Sequence, residues 1–148
     1  MIIRISRWAL RIAFSSCLLL ASIGTFASSE DKPAAASPLS THVLNTTSGK
    51  PAIGVVVILQ IQTGKDWEEV SRTETDVRGR IMDLFPKKKK FNEGVYRLLF
   101  ETGAYFQSQG VTTFYPKVEV IFAIENTDEH YHIPLLISPY GYSTYRGS

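Results

Sequence analysis

The sequence predicts an all-β fold over residues 39–148, arranged as a two-sheet antiparallel sandwich with one short helix. Two observations carry this prediction. Short runs rich in β-branched and aromatic residues recur along the chain, and the run AIGVVVILQIQ (52–62) is almost continuously apolar. Turn-forming segments such as SGKP, DVRGR, NEG and ENTDE separate these runs. Short strands at this spacing are typical of an antiparallel sandwich.

Each element follows from its local composition. The first run is short and mixed, the second is apolar, the third is polar but β-prone, and the last three combine apolar alternation with flanking turns. The predicted strands are 40–45, 52–62, 69–75, 95–101, 117–126 and 131–137. Between the fourth and fifth, TGAYFQSQG (102–110) begins with a threonine suited to helix capping and ends with glycine, so it is predicted as a short helix.

Two of the predicted strands carry more apolar residues than a one-sided sheet requires. In KVEVIFAIEN one alternating set is fully apolar, and the opposite set still contains Ile121 and Ala123. Residues 52–62 behave in the same way. A strand that is apolar on both faces needs cover on both, and in a small sandwich another subunit commonly provides the second cover. We therefore expect an oligomer.

Residues 1–27 are predicted to be a secretory signal peptide. Three arginines without any acidic residue precede the apolar run FSSCLLLASIGTFA, which ends on a small residue. The competing interpretation is an uncleaved membrane anchor. Residues 28–38 (SSEDKPAAASP) are predicted to be a flexible linker, because they contain almost nothing to bury. The expected location of the mature protein is therefore periplasmic or extracellular, with no membrane association after cleavage.

Removing the signal peptide changes the charge and the cysteine content. The formal net charge of +2 falls by three, to −1, and the one cysteine of the chain is lost. The remaining basic run, FPKKKKF, lies between apolar segments and resembles a solvated loop rather than a nucleic-acid surface. We expect no nucleic-acid partner. With no disulfide available, stability must come from the hydrophobic core of a single domain.

Four polar side chains lie at unusual positions in this pattern. His42 lies inside the first strand, on the face that also carries Ser40, and His130 and His132 share one face of the last strand. Arg80 lies in the DVRGR turn. Taken alone, each could be an ordinary packed or solvated residue. No acidic residue or cysteine accompanies the HxH pair at a metal-ligand spacing, and no nucleophile or phosphate-loop motif is present.

Four segments together resemble a known family. They are LSTHVLNTTSGKPA, TDVRGR, TTFYPKVEVIF and HYHIPLLISPYGYSTYRGS. They are similar to the transthyretin-related 5-hydroxyisourate hydrolases, and the similarity extends over 39–148. The resemblance implies a transthyretin-like sandwich, a homotetramer built as a dimer of dimers, and a catalytic cleft where the dimers meet. It also implies hydrolysis of 5-hydroxyisourate to 2-oxo-4-hydroxy-4-carboxy-5-ureidoimidazoline, without a metal or organic cofactor.

The resemblance assigns roles to residues of this chain. The family's catalytic positions fall on His42, Arg80 and His132. The terminal YRGS motif, which lines the cleft in the family and would contact substrate, falls on Tyr145, Arg146, Gly147 and Ser148. Two positions depart from the family pattern: Asn45 replaces an aspartate after THVL, and Arg78 replaces the aspartate of the turn.

The chemistry implied for these residues is water activation. A histidine can accept a proton from water near neutral pH, and a planar guanidinium can stabilise the oxyanion that forms on the attacked carbonyl. His132 is the expected base and His42 its orienting or proton-relaying partner, although the sequence does not separate these roles. Two other classes remain open at this point: a transthyretin-type small-ligand binding protein without turnover, and an exported structural β-sandwich.

Overall fold

A computed structural model describes residues 37–148 of the chain. The predicted signal peptide and residues 28–36 of the predicted linker lie outside the described residues. Nine strands and one helix follow in chain order: β1 Leu39–Asn45, β2 Lys50–Pro51, β3 Val56–Thr63, β4 Asp66–Glu74, β5 Arg80–Ile81, β6 Gly94–Phe100, α1 Thr102–Gln107, β7 Val118–Ile124, β8 Tyr131–Ser138 and β9 Gly141–Thr144.

The strands form two sheets. The first has the order β2-β1-β8-β9, with β5 also paired to β1, and the second has the order β4-β3-β6-β7. All pairs are antiparallel except β1 and β8, which run parallel in an unbroken register from Leu39 opposite Tyr131 to Asn45 opposite Ile137. The predicted two-sheet sandwich with one short helix is confirmed.

The core lies between the two sheets. In β1, Leu39 and Val43 are completely buried, and alternate residues of β8 are buried on the same side. The second sheet contributes aliphatic and aromatic residues from β3, β6 and β7, including Val57, Leu98 and Phe100. Burial of apolar side chains from both sheets supplies the main driving force for folding in a domain of this size.

The six predicted strands are present, but some of their limits differ. β3 begins at Val56 rather than at residue 52, because Gly54 adopts a positive φ of 76° and turns the chain just before the strand. Three short strands, β2, β5 and β9, were not predicted, since two to four residues carry too little pattern to be recognised.

The helix is shorter than predicted, and its first residue has a different role. α1 ends at Gln107, and turns continue to Gly110. Thr102 does not cap the helix: the N-cap residue is Glu101, and the buried Thr102 hydroxyl donates a hydrogen bond to the Tyr115 carbonyl at 2.7 Å. This threonine therefore joins the start of α1 to the segment that precedes β7.

The strands with apolar residues on both faces are covered differently. Ile58 and Leu99 lie opposite each other across β3 and β6 and are 3% and 9% exposed, although they lie outside the main core cluster. In β7, by contrast, Ile121 is 58% exposed. β7 and β9 are also the last strands of their sheets.

No helix within residues 37–148 is long and apolar enough to cross a membrane.

Candidate active site

Strand pairing in the first sheet brings the three predicted catalytic residues together. His42 of β1 lies opposite Arg80 of β5, and Ser40, two residues earlier on β1, lies opposite His132 of β8. Side chains two residues apart on a strand point to the same side of the sheet, and laterally paired residues do so as well. His42, Arg80 and His132 therefore share one face.

This shared face is the outer face of the sandwich. Leu39, Val43, Ile133 and Leu135 occupy the alternate positions of β1 and β8, and all four belong to the core. The site residues consequently point away from the core. His42, Arg80 and His132 are all half-buried, so each keeps part of its surface accessible to water or substrate.

The DVRGR turn fixes Arg80 through Asp76. The Asp76 carboxylate accepts hydrogen bonds from the backbone N–H groups of Arg78 and Arg80, both at 2.8 Å. These bonds hold the pKa of the Asp76 carboxyl below its usual value. Gly79 completes the turn with a φ of 71°, and a β-carbon there would lie 2.5 Å from the Val43 carbonyl oxygen. The turn thus requires glycine at position 79 for both conformation and space.

The two departures from the family pattern have local explanations. The Arg78 side chain is 70% exposed and pairs with Asp76 at 3.3 Å, so it is directed to solvent. Asn45 accepts a hydrogen bond from the Thr47 N–H at 3.0 Å and donates one to the Tyr105 hydroxyl at 3.2 Å. Asn45 therefore forms the expected turn.

Burial and positive charge lower the pKa of both site histidines and so favour their neutral form. Burial lowers the pKa of His132, and the charges of Arg80, His130 and His42 lower it further. Burial and then the Arg80 charge lower the pKa of His42, while the nearby Arg78 backbone and the Asp76 charge act in the opposite direction. A neutral imidazole has one unprotonated ring nitrogen, which can accept a proton from water.

The charge of Arg80 has no salt-bridge partner in the part of the chain that the structure describes. Within residues 37–148, no carboxylate forms a salt bridge with Arg80, whereas Arg72, Arg78, Arg97 and Arg146 each pair with one. A guanidinium without a fixed carboxylate partner is free to bind an anionic or carbonyl oxygen by paired hydrogen bonds.

The C-terminal segment runs beside His132. The Gly147 N–H donates a hydrogen bond to the His132 carbonyl at 2.8 Å, in the register that β9 has already set with β8. Between the β8–β9 ladder and the His132–Gly147 bridge, the pairing is interrupted at Pro134, which has no N–H to donate. The Thr144 hydroxyl donates to the Pro134 carbonyl at 2.8 Å and keeps the segment attached across the gap.

The four residues of the YRGS motif have different surroundings. Gly147 contacts the His132 ring, and its close approach leaves no space for a side chain. Arg146 forms an ion pair with Glu129 and lies over the Tyr131 ring, with its guanidinium carbon 5.1 Å from the ring centroid. Tyr145, Arg146 and His132 line a groove of about 260 Å³ between β7 and the C-terminal segment. Ser148 is exposed.

The structure adds two residues to the site that the sequence did not assign to it. Ser40 is buried and contacts His132, and His130 contacts Ser40 in turn. The sequence contained a partial signal, because Ser40 lies on the same strand face as His42 and His130 lies on the same face as His132. It could not reveal their contact, which depends on the parallel pairing of β1 with β8.

The fold and the site define a two-sheet β-sandwich whose outer face carries two histidines of lowered pKa beside an arginine that has no salt-bridge partner within residues 37–148. Residues 39–147 match the family described as the HIUase/Transthyretin family. The chain therefore belongs to this family, whose members include hydrolases and transthyretins.

Sequence identity and fold similarity give different information about the hydrolase and transthyretin branches. The 5-hydroxyisourate hydrolase of Salmonella typhimurium is 49% identical over 110 residues, which cover 74% of this chain and 80% of the relative. The structure of Klebsiella pneumoniae 5-hydroxyisourate hydrolase is 37% identical, has a TM-score of 0.66 and is matched over 97% of its length, with 74% of this chain covered. Sea bream transthyretin in complex with thyroxine is 34% identical, has a TM-score of 0.70 and is matched over 94% of its length, again with 74% of this chain covered. Fold similarity does not separate the branches, whereas sequence identity favours the hydrolases.

Proposed function

We propose that this chain is a hydrolase that opens the ring of 5-hydroxyisourate. The observation that carries the proposal is the shared outer face of His42, Arg80 and His132. On this face both histidines have lowered pKa values, and the Arg80 guanidinium forms no salt bridge with any residue of 37–148. The hydrolase relatives at 49% identity support the choice of substrate. A protein that only carries a ligand has no need for a proton acceptor beside a cation.

His132 acts as the general base in this proposal. Its neutral ring accepts a proton from water, and the resulting hydroxide adds to the carbonyl carbon of the ring amide. Arg80 stabilises the negative charge that develops on the carbonyl oxygen, an interaction that contributes most when the donor is held in place beforehand. The carbon–nitrogen bond then breaks, and the proton taken from water returns to the departing nitrogen. No step requires a metal or an organic cofactor.

His42 and the C-terminal segment complete the site. His42 orients the attacking water or passes a proton, since it lies on the same face as the base and is paired across the strands to Arg80. Tyr145, Arg146, Gly147 and Ser148 contact substrate in this scheme, with Gly147 already adjacent to His132. The ion pair of Arg146 with Glu129 would have to open for its guanidinium to reach a substrate oxygen.

A homotetramer would supply the walls that one chain lacks. The catalytic residues lie on an outer sheet face, and the edge strands β7 and β9 leave backbone groups available for pairing. Exposed apolar side chains on and beside these edges, including Ile121 and Tyr142, support burial against another copy. Light scattering at micromolar concentration should report four chains per particle, and a monomer would contradict this assembly.

Export to the periplasm or the extracellular space is a separate proposal, supported only by the composition of residues 1–27. The full-length chain should lose this segment during secretion. Mass measurement of the protein recovered from an exporting cell tests this directly, because an intact N-terminus would favour the uncleaved anchor.

Decay of freshly generated 5-hydroxyisourate tests the catalytic proposal. The folded protein, without added metal, should accelerate the decay above the rate in buffer. If the protein binds the compound without accelerating its decay, the small-ligand carrier becomes the correct interpretation, as the fold similarity to sea bream transthyretin would allow.

A further inference from the structure

A buried serine hydroxyl links His132 to a second histidine. The Ser40 hydroxyl oxygen lies 2.9 Å from Nδ1 of His132 and 2.8 Å from Nε2 of His130. Ser40 is only 1% exposed, so water cannot readily replace either partner. Both contacts have hydrogen-bonding distances, and the one hydroxyl proton can serve only one of them.

The contact between His130 and Ser37 determines which atom donates in each of these hydrogen bonds. Nδ1 of His130 lies 2.9 Å from the Ser37 carbonyl oxygen. A carbonyl can only accept, so Nδ1 of His130 carries a proton, and Nε2 of a neutral His130 is then an acceptor. The Ser40 hydroxyl donates to that Nε2, which leaves its oxygen to accept from Nδ1–H of His132. A neutral His132 protonated at Nδ1 has its lone pair on Nε2.

The tautomer matters because only one nitrogen of His132 remains available. Nδ1 is occupied by Ser40, and no hydrogen bond to Nε2 is found within residues 37–148. If Ser40 donated in the opposite direction, His132 would be protonated at Nε2, and the nitrogen facing water could not accept a proton. Whether the Ser40 hydroxyl donates to His130 or to His132 thus decides whether His132 can act as a base.

We propose that His130 and Ser40 are positioning residues that hold His132 in the tautomer required of a base. The Ser37 carbonyl anchors His130, His130 orients the Ser40 hydroxyl, and Ser40 fixes the proton of His132 on Nδ1. The catalytic consequence rests on the proposed function. The tautomer itself is a property of the folded protein and does not depend on which substrate is used.

Nitrogen NMR of the histidine rings, at about pH 8 where histidines are neutral, tests the relay without substrate. The wild-type protein should show His132 protonated at Nδ1. His130→Ala, at an exposed position where folding is not at risk, should shift His132 toward a mixture of tautomers. Thr127→Ala, in the exposed turn just before His130, is the matched control and should retain the wild-type spectrum. A wild-type His132 protonated at Nε2, or no change in His130→Ala, would overturn the proposal.

Turnover provides the second readout. His130→Ala and Ser40→Ala should each lower kcat by about tenfold, the effect of losing one net hydrogen bond, with little change in KM. Because both act through one hydroxyl, the double variant should be no slower than Ser40→Ala alone, whereas independent effects would multiply and contradict the relay. Ser71→Ala, which removes another half-buried hydroxyl that donates to the Leu84 carbonyl, should not alter kcat. Absence of turnover in the wild type would refute the proposed function, while the NMR result would still decide the relay.

Discussion

Gly147 lies so close to His132 that a β-carbon at position 147 would be 2.5 Å from Cδ2 of the imidazole ring. The same glycine donates its N–H to the His132 carbonyl. The C-terminal segment is therefore fitted around the proposed base, which gives a physical reason for a glycine within the YRGS motif.

Gly147→Ala should displace either the C-terminal segment or the His132 ring. We expect kcat to fall by about tenfold or more, because small misplacements of catalytic groups have large effects on rate. The melting temperature should change little, since the segment lies outside the core. Gly141→Ala is the matched control: its β-carbon would meet only the Ser138 hydroxyl oxygen, at 3.6 Å. Equal kinetics in the two variants would show that the close approach has no catalytic role.

The two arginines of the DVRGR turn allow a paired comparison. Arg80→Lys should lower kcat by about a hundredfold, because lysine keeps the charge but loses the planar set of donors that stabilises an oxyanion. Arg78→Lys changes the same residue type two positions away, where the side chain is solvent-directed and paired with Asp76. It should leave steady-state kinetics nearly unchanged. A larger effect at Arg78 than at Arg80 would require a different assignment of the oxyanion-stabilising residue.

Replacing either site histidine with asparagine should lower kcat by about a hundredfold or more, as expected for a positioned proton-transfer group. Asparagine preserves some hydrogen bonding but cannot accept a proton from water. His132→Asn should have the larger effect if His132 is the base. Near-normal turnover in both His42→Asn and His132→Asn, measured on folded protein of wild-type size, would remove the histidines from the mechanism.

The pH dependence follows from the lowered pKa values of both histidines. A base must be neutral, so kcat/KM should fall on the acid side with a midpoint below the ordinary histidine value of about 6.5. The stability of the folded protein should also fall on the acid side. Between the folded-state pKa and the higher unfolded-state pKa of each histidine, the unfolded chain binds more protons than the folded one. The free energy of unfolding should therefore decrease as pH falls through that interval. An acid limb centred above 6.5 would contradict this account.

Arg80→Ala separates the causes of the lowered pKa of His132. Burial is the larger cause and should persist, while the repulsion from the guanidinium would be lost. Titration of the His132 ring by NMR should therefore show a pKa that rises toward its ordinary value without reaching it. An unchanged pKa would show that Arg80 lies too far from the ring to influence it.

The sequence was sufficient for the sandwich because its long strands alternate clearly or are continuously apolar. β1, β6, β7 and β8 lie within one or two residues of their predicted limits. Short elements such as β5 could not be predicted, since pairing with β1 rather than local composition defines them. Thr102 was misassigned as a helix cap because its true partner, the Tyr115 carbonyl, is distant in sequence.

For the site, the motifs predict His42, Arg80 and His132 as catalytic residues, but they do not reveal the contacts that surround these side chains. The pairing of Ser40 with His132 depends on the parallel arrangement of β1 and β8, and the composition of neither strand indicates it. The direction of the Arg78 side chain likewise depends on how Asp76 is held in the folded turn.

The central claim is that this chain catalyses ring opening, and the initial decay rate of 5-hydroxyisourate over a series of protein concentrations tests it most directly. The account predicts a rate that rises in proportion to protein above the spontaneous decay, with no metal added. A rate equal to that in buffer at every protein concentration, for folded protein of confirmed size, would contradict it.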